Sequence, residues 1–274
     1  MSSFAQRRVT SIGVAFAAGG LLVLVNTLYD MSLRDAAFLN GWLLFGGMVF
    51  LTLFNARKKL PFLPLMSSAL WLQIHVYLGF ICAALFLLHT SFRLPNGLFE
   101  TLLWIATVML FVTGILGLIL SRRLPPRLRA GGERIIFERI PGFRAQLANE
   151  AEALSFNSLD DTGNTAVANF YWTILAPYLR KPRNFLGHLF GSRKHFRRLE
   201  NQFRELKRYE DAKGREVLTR LAEISTAKDN LDHQYALQLT LKLWLFFHLP
   251  VAYSVLVMSL VHTFLAYAFG SAAP

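Results

Sequence analysis

The chain has 274 residues, of which 54% are hydrophobic and only 17% charged, with a mean hydropathy of +0.38. A soluble domain of this size carries about a quarter charged residues, so the composition speaks against an ordinary soluble enzyme. The formal charge of +12 suggests nucleic acid only until the charges are located: 21 of 29 Lys and Arg lie in 121–237, among 14 of the 17 acids, and form no single basic tract. One cysteine, Cys82, in an apolar run, excludes an intrachain disulfide or a Cys-x-x-Cys pair. The class implied is an all-α membrane protein in contact with the lipid bilayer, with a polar helical insert and no nucleic-acid partner.

Five segments meet the requirement of roughly 20 apolar residues per spanning helix: about 11–29, 38–54, 69–91, 98–120 and 241–268. The first follows Arg7 and Arg8, but no small-residue cleavage site precedes Asp30, so it is expected to span and not to be removed as a signal. The second is short and carries Gly41, Gly46 and Gly47. Lys and Arg near the ends set the orientation. Arg7, Arg8, Arg57, Lys58, Lys59, Arg122, Arg123, Arg127, Arg129 and Lys242 fall on one side of a five-span arrangement, and only Arg34 and Arg93 on the other. The expectation is an inner (cytoplasmic) membrane protein, multi-pass, with the N-terminus and insert cytoplasmic and the C-terminus outside. Its parts are then 1–120, with the first four spans; 121–237, the cytoplasmic insert; and 238–274, with the fifth span.

Within the insert, Pro125 and Pro126 are expected to break the fourth helix. Ala145–Leu154 reads as a short helix, Asn157–Asn164 as a polar loop and Lys181–Gly191 as a basic, Pro- and Gly-marked connector. From Lys194 to Leu221, Phe196, Leu199, Phe203 and Leu206 recur at three- and four-residue steps, as in an amphipathic helix. Thr226-x-x-Asp229 has the form of a capping box that starts a further helix, continuing into the last span. His188, His195 and His233 are expected to be solvated, because no set of acids or cysteines accompanies them at metal-ligand spacing.

The other four histidines carry the chemistry. His75 and His89 lie in the third span, 14 residues apart; His248 and His262 lie in the fifth, also 14 apart. At 100° per residue, 14 residues return to within about 40° of the same helix face and advance roughly 21 Å. The predicted topology makes the two spans parallel, so His75 comes level with His248 and His89 with His262. Two facing imidazoles supply both axial ligands of a haem iron. Two such pairs hold two haem b groups stacked across the bilayer: His75 and His248 on the inner iron, His89 and His262 on the outer. Stray polar residues bonding between helices would not need the doubled spacing, and ligands 14 apart on one helix cannot reach one zinc ion.

Further residues repeat or flank these pairs. Trp71 and Trp244 each precede a histidine by four positions, where an aromatic belt is expected. Thr90 and Thr263 follow the outer histidines and are expected to bond back to their own helices. Gly79, one turn beyond His75, either lets a porphyrin approach the backbone or packs against a helix. Gly114 has the look of a close-packing position. Arg93 is the outer candidate for an anionic propionate, Lys242 or Arg123 the inner ones, and Glu100 is the lone acid near the outer end of the fourth span.

Two parallel helices, each with His-x13-His and separated by one intervening helix, resemble the di-haem core of cytochrome b and b6. The resemblance covers about 130 membrane residues and none of the insert. It implies a haem-binding four-helix bundle with His75, His89, His248 and His262 as ligands; the leading functional expectation is an electron-transfer subunit working between a quinone pool and a redox partner. The Pro-Glu-Trp-Tyr motif of the quinol-oxidising site is absent, so quinone chemistry does not follow from the resemblance. Transmembrane ferric reductases and NADPH oxidases use a similar arrangement of histidines. Two other functions stay open on sequence: a transmembrane metal or oxygen reductase fed by a separate cytosolic flavoprotein, and a non-redox transporter or assembly factor. The chain has no Gly-rich dinucleotide fingerprint, which argues against a self-contained NAD(P)H-dependent enzyme, and no Cys-x-x-Cys-His for covalent haem.

Overall fold

The computed structural model describes residues 36–56, 67–130, 135–162 and 165–270, and nearer the N-terminus residues 13, 19–21, 24–29 and 31. Among the described residues there is no strand. The helices are α1 (Ala36–Ala56), α2 (Ser68–His89), α3 (Leu98–Ala130), α4 (Ile140–Thr162), α5 (Thr165–Phe170), α6 (Ala176–Arg180), α7 (Phe185–Phe190), α8 (Lys194–Tyr209) and α9 (Ala212–Gly270). A 3-10 turn at Phe137–Arg139 precedes α4, and a π turn at Tyr171–Leu175 joins α5 to α6. Four helices are long and apolar enough to cross a membrane: α1, α2, α3 and α9. Of the expected first span, 11–29, nine residues lie outside the described ones; Gly19–Tyr29 is a shorter apolar helix.

The chain divides into two compact units, one of residues 1–118 with 245–274 and the other of residues 119–244. In the first, α1 packs on α2 through Leu44, Met48, Cys82, Leu85 and Phe86, joined by Val255 of α9. A side chain at Gly47 would stand 2.6 Å from Cys82 Sγ, so this glycine permits the close approach of α1 and α2.

In the second unit, the amphipathic stripe on α8 buries Phe196, Leu199 and Phe203 against Leu218, Leu221 and Ile224 of α9. Four sequence expectations are corrected here. The helix that opens at Leu98 does not stop at Pro125 and Pro126 but runs to Ala130. On either side of the prolines, Leu124 and Leu128 are buried with Leu237, and beyond them Arg127 donates to the carbonyls of His188 and Leu189 at 2.6 Å each. Tertiary packing outweighs two missing backbone donors. Second, the short helix over Ala145–Leu154 is longer, Ile140–Thr162, and takes in most of the expected loop at 157–164. Its buried face continues through Ala151, Ser155 and Ser158, and Ser155 bonds back to the Ala151 carbonyl at 2.9 Å.

Third, the helix from Lys194 ends at Tyr209, and α9 begins afresh at Ala212. Its cap is Asp211, whose Oδ1 accepts from the Gly214 N–H at 2.7 Å, satisfying an orphan donor of the first turn. Thr226-x-x-Asp229 therefore lies inside α9. Thr226 donates to the Ala222 carbonyl at 2.9 Å, and Asp229 turns inward. Fourth, the connector at 181–191 contains α7, bounded by Asn184 (φ 59°) and Gly191 (φ 78°) in left-handed conformations. Asn is one of the few side-chain-bearing residues that visit this region readily, and glycine enters it at no steric cost.

Asp229 and Asp232 organise a buried ionic cluster. Asp232 is ion-paired with Lys228, Oδ2 to Nζ 2.6 Å, lies 3.4 Å from an Arg144 guanidinium nitrogen and takes the Arg183 backbone N–H at 3.0 Å. Lys228 is fully buried and lies 3.8 Å from the centre of the Tyr178 ring. His188 is also buried, not solvated as expected; its Nε2 is 3.6 Å from Asp229 Oδ1. Burial holds the imidazole below its ordinary 6.5, so it is neutral at pH 7. Arg193, 3.4 Å from Asp229, supplies the opposing charge. Removing one partner of such a cluster strands the other without water. Asp232→Ala should therefore destabilise this unit by about 3–5 kcal/mol, read as an earlier loss of helical circular dichroism in equilibrium unfolding.

Candidate functional site

The first unit holds all four membrane histidines and brings two of them into contact. His89 ends α2, and His262 lies in the apolar part of α9. Their ring centres are 6.2 Å apart, with planes at 86°. Seven residues before each, Cys82 of α2 and Val255 of α9 are buried in one cluster, so the two helices run parallel here. His75 and His248 each lie a further seven residues back on the same two helices. Metal–imidazole bonds of about 2.0–2.1 Å, with roughly 1.1 Å more from nitrogen to ring centre, put two axial imidazole centres about 6 Å apart. The His89–His262 separation is of that size. Rotation about the axis through the iron accommodates crossed ring planes.

Neighbouring groups fix which ring nitrogen carries the proton. His89 Nδ1 lies 2.7 Å from the Ala37 carbonyl oxygen. A carbonyl only accepts, so Nδ1 carries the proton and Nε2 the lone pair. On His248, Nδ1 lies 2.9 Å from Thr113 Oγ1, while that hydroxyl is 3.0 Å from the Leu110 carbonyl. With its proton directed to Leu110, the hydroxyl accepts from Nδ1–H, and His248 takes the same tautomer. Metal-bound histidines are held in this way, with the second ring nitrogen donating to an oxygen. Two of the four imidazoles are therefore held by the polypeptide with the lone pair on Nε2.

A cavity of about 310 Å³ lies beside His89 and His262, lined also by Arg93, Glu100, Trp104 and Thr107. After Thr90 the chain turns sharply: Ser91 (φ 49°) and Phe92 (φ 57°) are both left-handed, a conformation that costs energy in residues bearing a Cβ. The Arg93 N–H then bonds back to the Thr90 carbonyl at 2.9 Å, and Arg93 comes to line the cavity. A guanidinium at this mouth fits an anionic group such as a propionate. Thr90 and Thr263 donate to Phe86 and Ser259 carbonyls at 3.0 and 2.9 Å, as their sequence positions predict.

Of the remaining candidates, Gly79 fronts open space, with nothing within 4 Å of where a side chain would begin. It does not pack against another helix, and that leaves room for a flat ligand beside His75. Gly114 is at contact distance from His248, 3.9 Å from its Cε1. Trp71 is buried and stacks on Phe50, 5.5 Å between ring centres and 17° between planes, and is not an exposed belt residue. Lys242 is paired with Glu138 and stacks over Phe137 at 4.1 Å, so its charge is already matched and it is a poor choice for a propionate. Gly41 carried no signal of function in the sequence. A Cβ there would stand 2.9 Å from His89 Cε1, so the ring lies against bare backbone. A glycine on the preceding span was the only available hint.

Among the described residues no set of three or more His, Cys, Asp or Glu side chains is placed to hold a metal ion. A bis-histidine haem asks for two protein ligands and takes its other four from the porphyrin. No family model, curated protein or solved structure matches the chain.

Proposed function

We propose that this chain is a membrane-embedded di-haem b-type cytochrome, an electron-transfer subunit that carries electrons across the bilayer between a quinone pool and a redox partner. The observation that carries the proposal is the His89–His262 pair, at axial-ligand separation beside a cavity, with His89 held through Nδ1 by the Ala37 carbonyl. The duplicated His-x13-His spacing extends it to a second pair, His75 with His248. In this account the chain is inserted in the inner membrane by five spans, with residues 121–237 and the N-terminus on the cytoplasmic side. Its bundle resembles the haem-binding core of cytochrome b and b6.

Bound haem supplies a one-electron iron couple. The polypeptide supplies the rest. The four imidazoles fix position, and burial in an apolar bundle keeps water from the ligand nitrogens. Nδ1–H donation to Ala37 and Thr113 raises imidazole basicity, which favours the more highly charged iron. Arg93 offers a cation at the cavity mouth. The two levels, roughly 21 Å apart along each helix, give stations near the two faces of the membrane.

Thr113→Val should leave the His248 ring without its acceptor and weaken haem binding at the His75–His248 pair by about 10–100-fold, measured by haem loss to apomyoglobin. Function beyond haem binding is tested by adding a quinol analogue to the oxidised chain in nanodiscs. Reduction of both haems at rates that saturate with quinol supports exchange with a quinone pool. Haems reduced only through a cytosolic flavoprotein would replace this function with the metal or oxygen reductase.

A further inference from the structure

The short helix α7 belongs to the unit 119–244. Three features of the unit 119–244 converge on it. First, its residue Leu189 packs with Leu120 and Leu241 around Leu124, Leu128 and Leu237. Leu120 closes the apolar stretch 98–120 and Leu241 opens the stretch 241–268. These two leucines stand at the ends of the two apolar stretches, and α7 packs beside those ends. Arg127, seven residues beyond Leu120 and so about 10 Å along the helix, holds the helix there through the His188 and Leu189 carbonyls.

Second, the opposite face of α7 is apolar and uncovered: Leu186 is 64% exposed and Phe190 81% exposed. Large aromatic and aliphatic side chains on a short helix beside the ends of spanning segments have the hydrocarbon boundary within reach. Third, the flanks are basic. Lys181, Arg183, Lys194, Arg197 and Arg198 are all exposed, with no carboxylate between 162 and 199 to neutralise them. Arg183 follows Pro182 and directly precedes the left-handed Asn184 that starts the helix.

We propose that α7 is an interfacial anchor that binds anionic phospholipid headgroups, with Leu186 and Phe190 inserted among the acyl chains and Lys181, Arg183 and Lys194 on the phosphates. Clusters of Lys and Arg beside a membrane helix attract anionic lipid at about 1 kcal/mol per residue, and apolar side chains enter about 5–10 Å. The anchor also steadies the 119–244 unit against the bilayer, whatever cofactors the other unit holds. The inference does not depend on haem.

The test places a polarity-sensitive fluorophore on Phe190→Cys, and for comparison on Tyr209→Cys, in the full chain in nanodiscs. Tyr209 is 87% exposed and belongs to α8; Cys82 is fully buried and leaves the thiol chemistry to the introduced site. Shallow doxyl-labelled lipid should quench the label at 190 about threefold more than the label at 209 in discs containing phosphatidylglycerol. Quenching at 190 should fall by about half in pure phosphatidylcholine, and again in the Lys181→Gln, Arg183→Gln, Lys194→Gln triple variant. Equal quenching at the two positions overturns the proposal. So does quenching at 190 that is indifferent both to headgroup charge and to removal of the three cations.

Discussion

Replacing His89 or His262 with alanine will leave the purified chain with one haem in place of two, and the remaining haem will be the one held by His75 and His248. Each iron needs both imidazoles of its level, so loss of either should empty the site or reduce it to weak five-coordinate binding. The two levels stand roughly 21 Å apart and should lose haem independently. His75→Ala and His248→Ala will do the converse. Pyridine haemochrome quantification counts the haems, and the reduced α-band tells which remains. Imidazole in the buffer should restore part of the missing haem, because it can occupy the space the side chain vacates. A merely structural role for these histidines would not be rescued in this way.

The second large effect belongs to a residue with no functional group. Gly41→Val places a branched side chain where a Cβ alone would be 2.9 Å from His89 Cε1. The ring must tilt away from α1, and the Nδ1 hydrogen bond to Ala37 at 2.7 Å cannot survive that tilt. The His89–His262 haem should bind at least about tenfold more weakly, with an overpacking cost of about 1–3 kcal/mol. The control is Gly46→Val, one helical turn and a residue further along α1, where nothing lies within 4 Å of a Cβ. It should retain both haems. The comparison separates steric contact with the ligand from a general intolerance of α1 to larger residues.

These effects bear differently on what the sequence made legible. The duplicated spacing of the four histidines is legible because it is local: residues on one face of one helix recur at a helical multiple, and 14 is such a multiple. Gly41 is not legible, because its constraint joins it to a residue 48 positions away, and a glycine in an apolar helix has many other uses. Thr113 was hidden for the same reason, 135 positions from His248. The expectations for residues 121–237 failed where local rules met tertiary contacts. Pro125 and Pro126 should end a helix in isolation, yet Arg127 and Leu128 are anchored beyond them. Thr226 and Asp229 have the spacing of a cap, but the true cap is Asp211, fifteen residues earlier. His188 looked solvated only because its carboxylate partner Asp229 lies 41 positions downstream.

The amphipathic stripe of α8 and the apolar runs behaved differently. They express a period and a length that each segment satisfies alone: Phe196, Leu199 and Phe203 are buried, and among the described residues four of the five expected runs lie in helices of spanning length.

The central claim is that two imidazole pairs each hold a haem iron. A reduced-minus-oxidised absorption spectrum of the purified chain, with haem quantified against protein, tests it most directly. The account predicts a low-spin b-type spectrum with split or broadened α-band and two haems per chain. A colourless protein, or one that keeps two haems in all four single histidine variants, would contradict it.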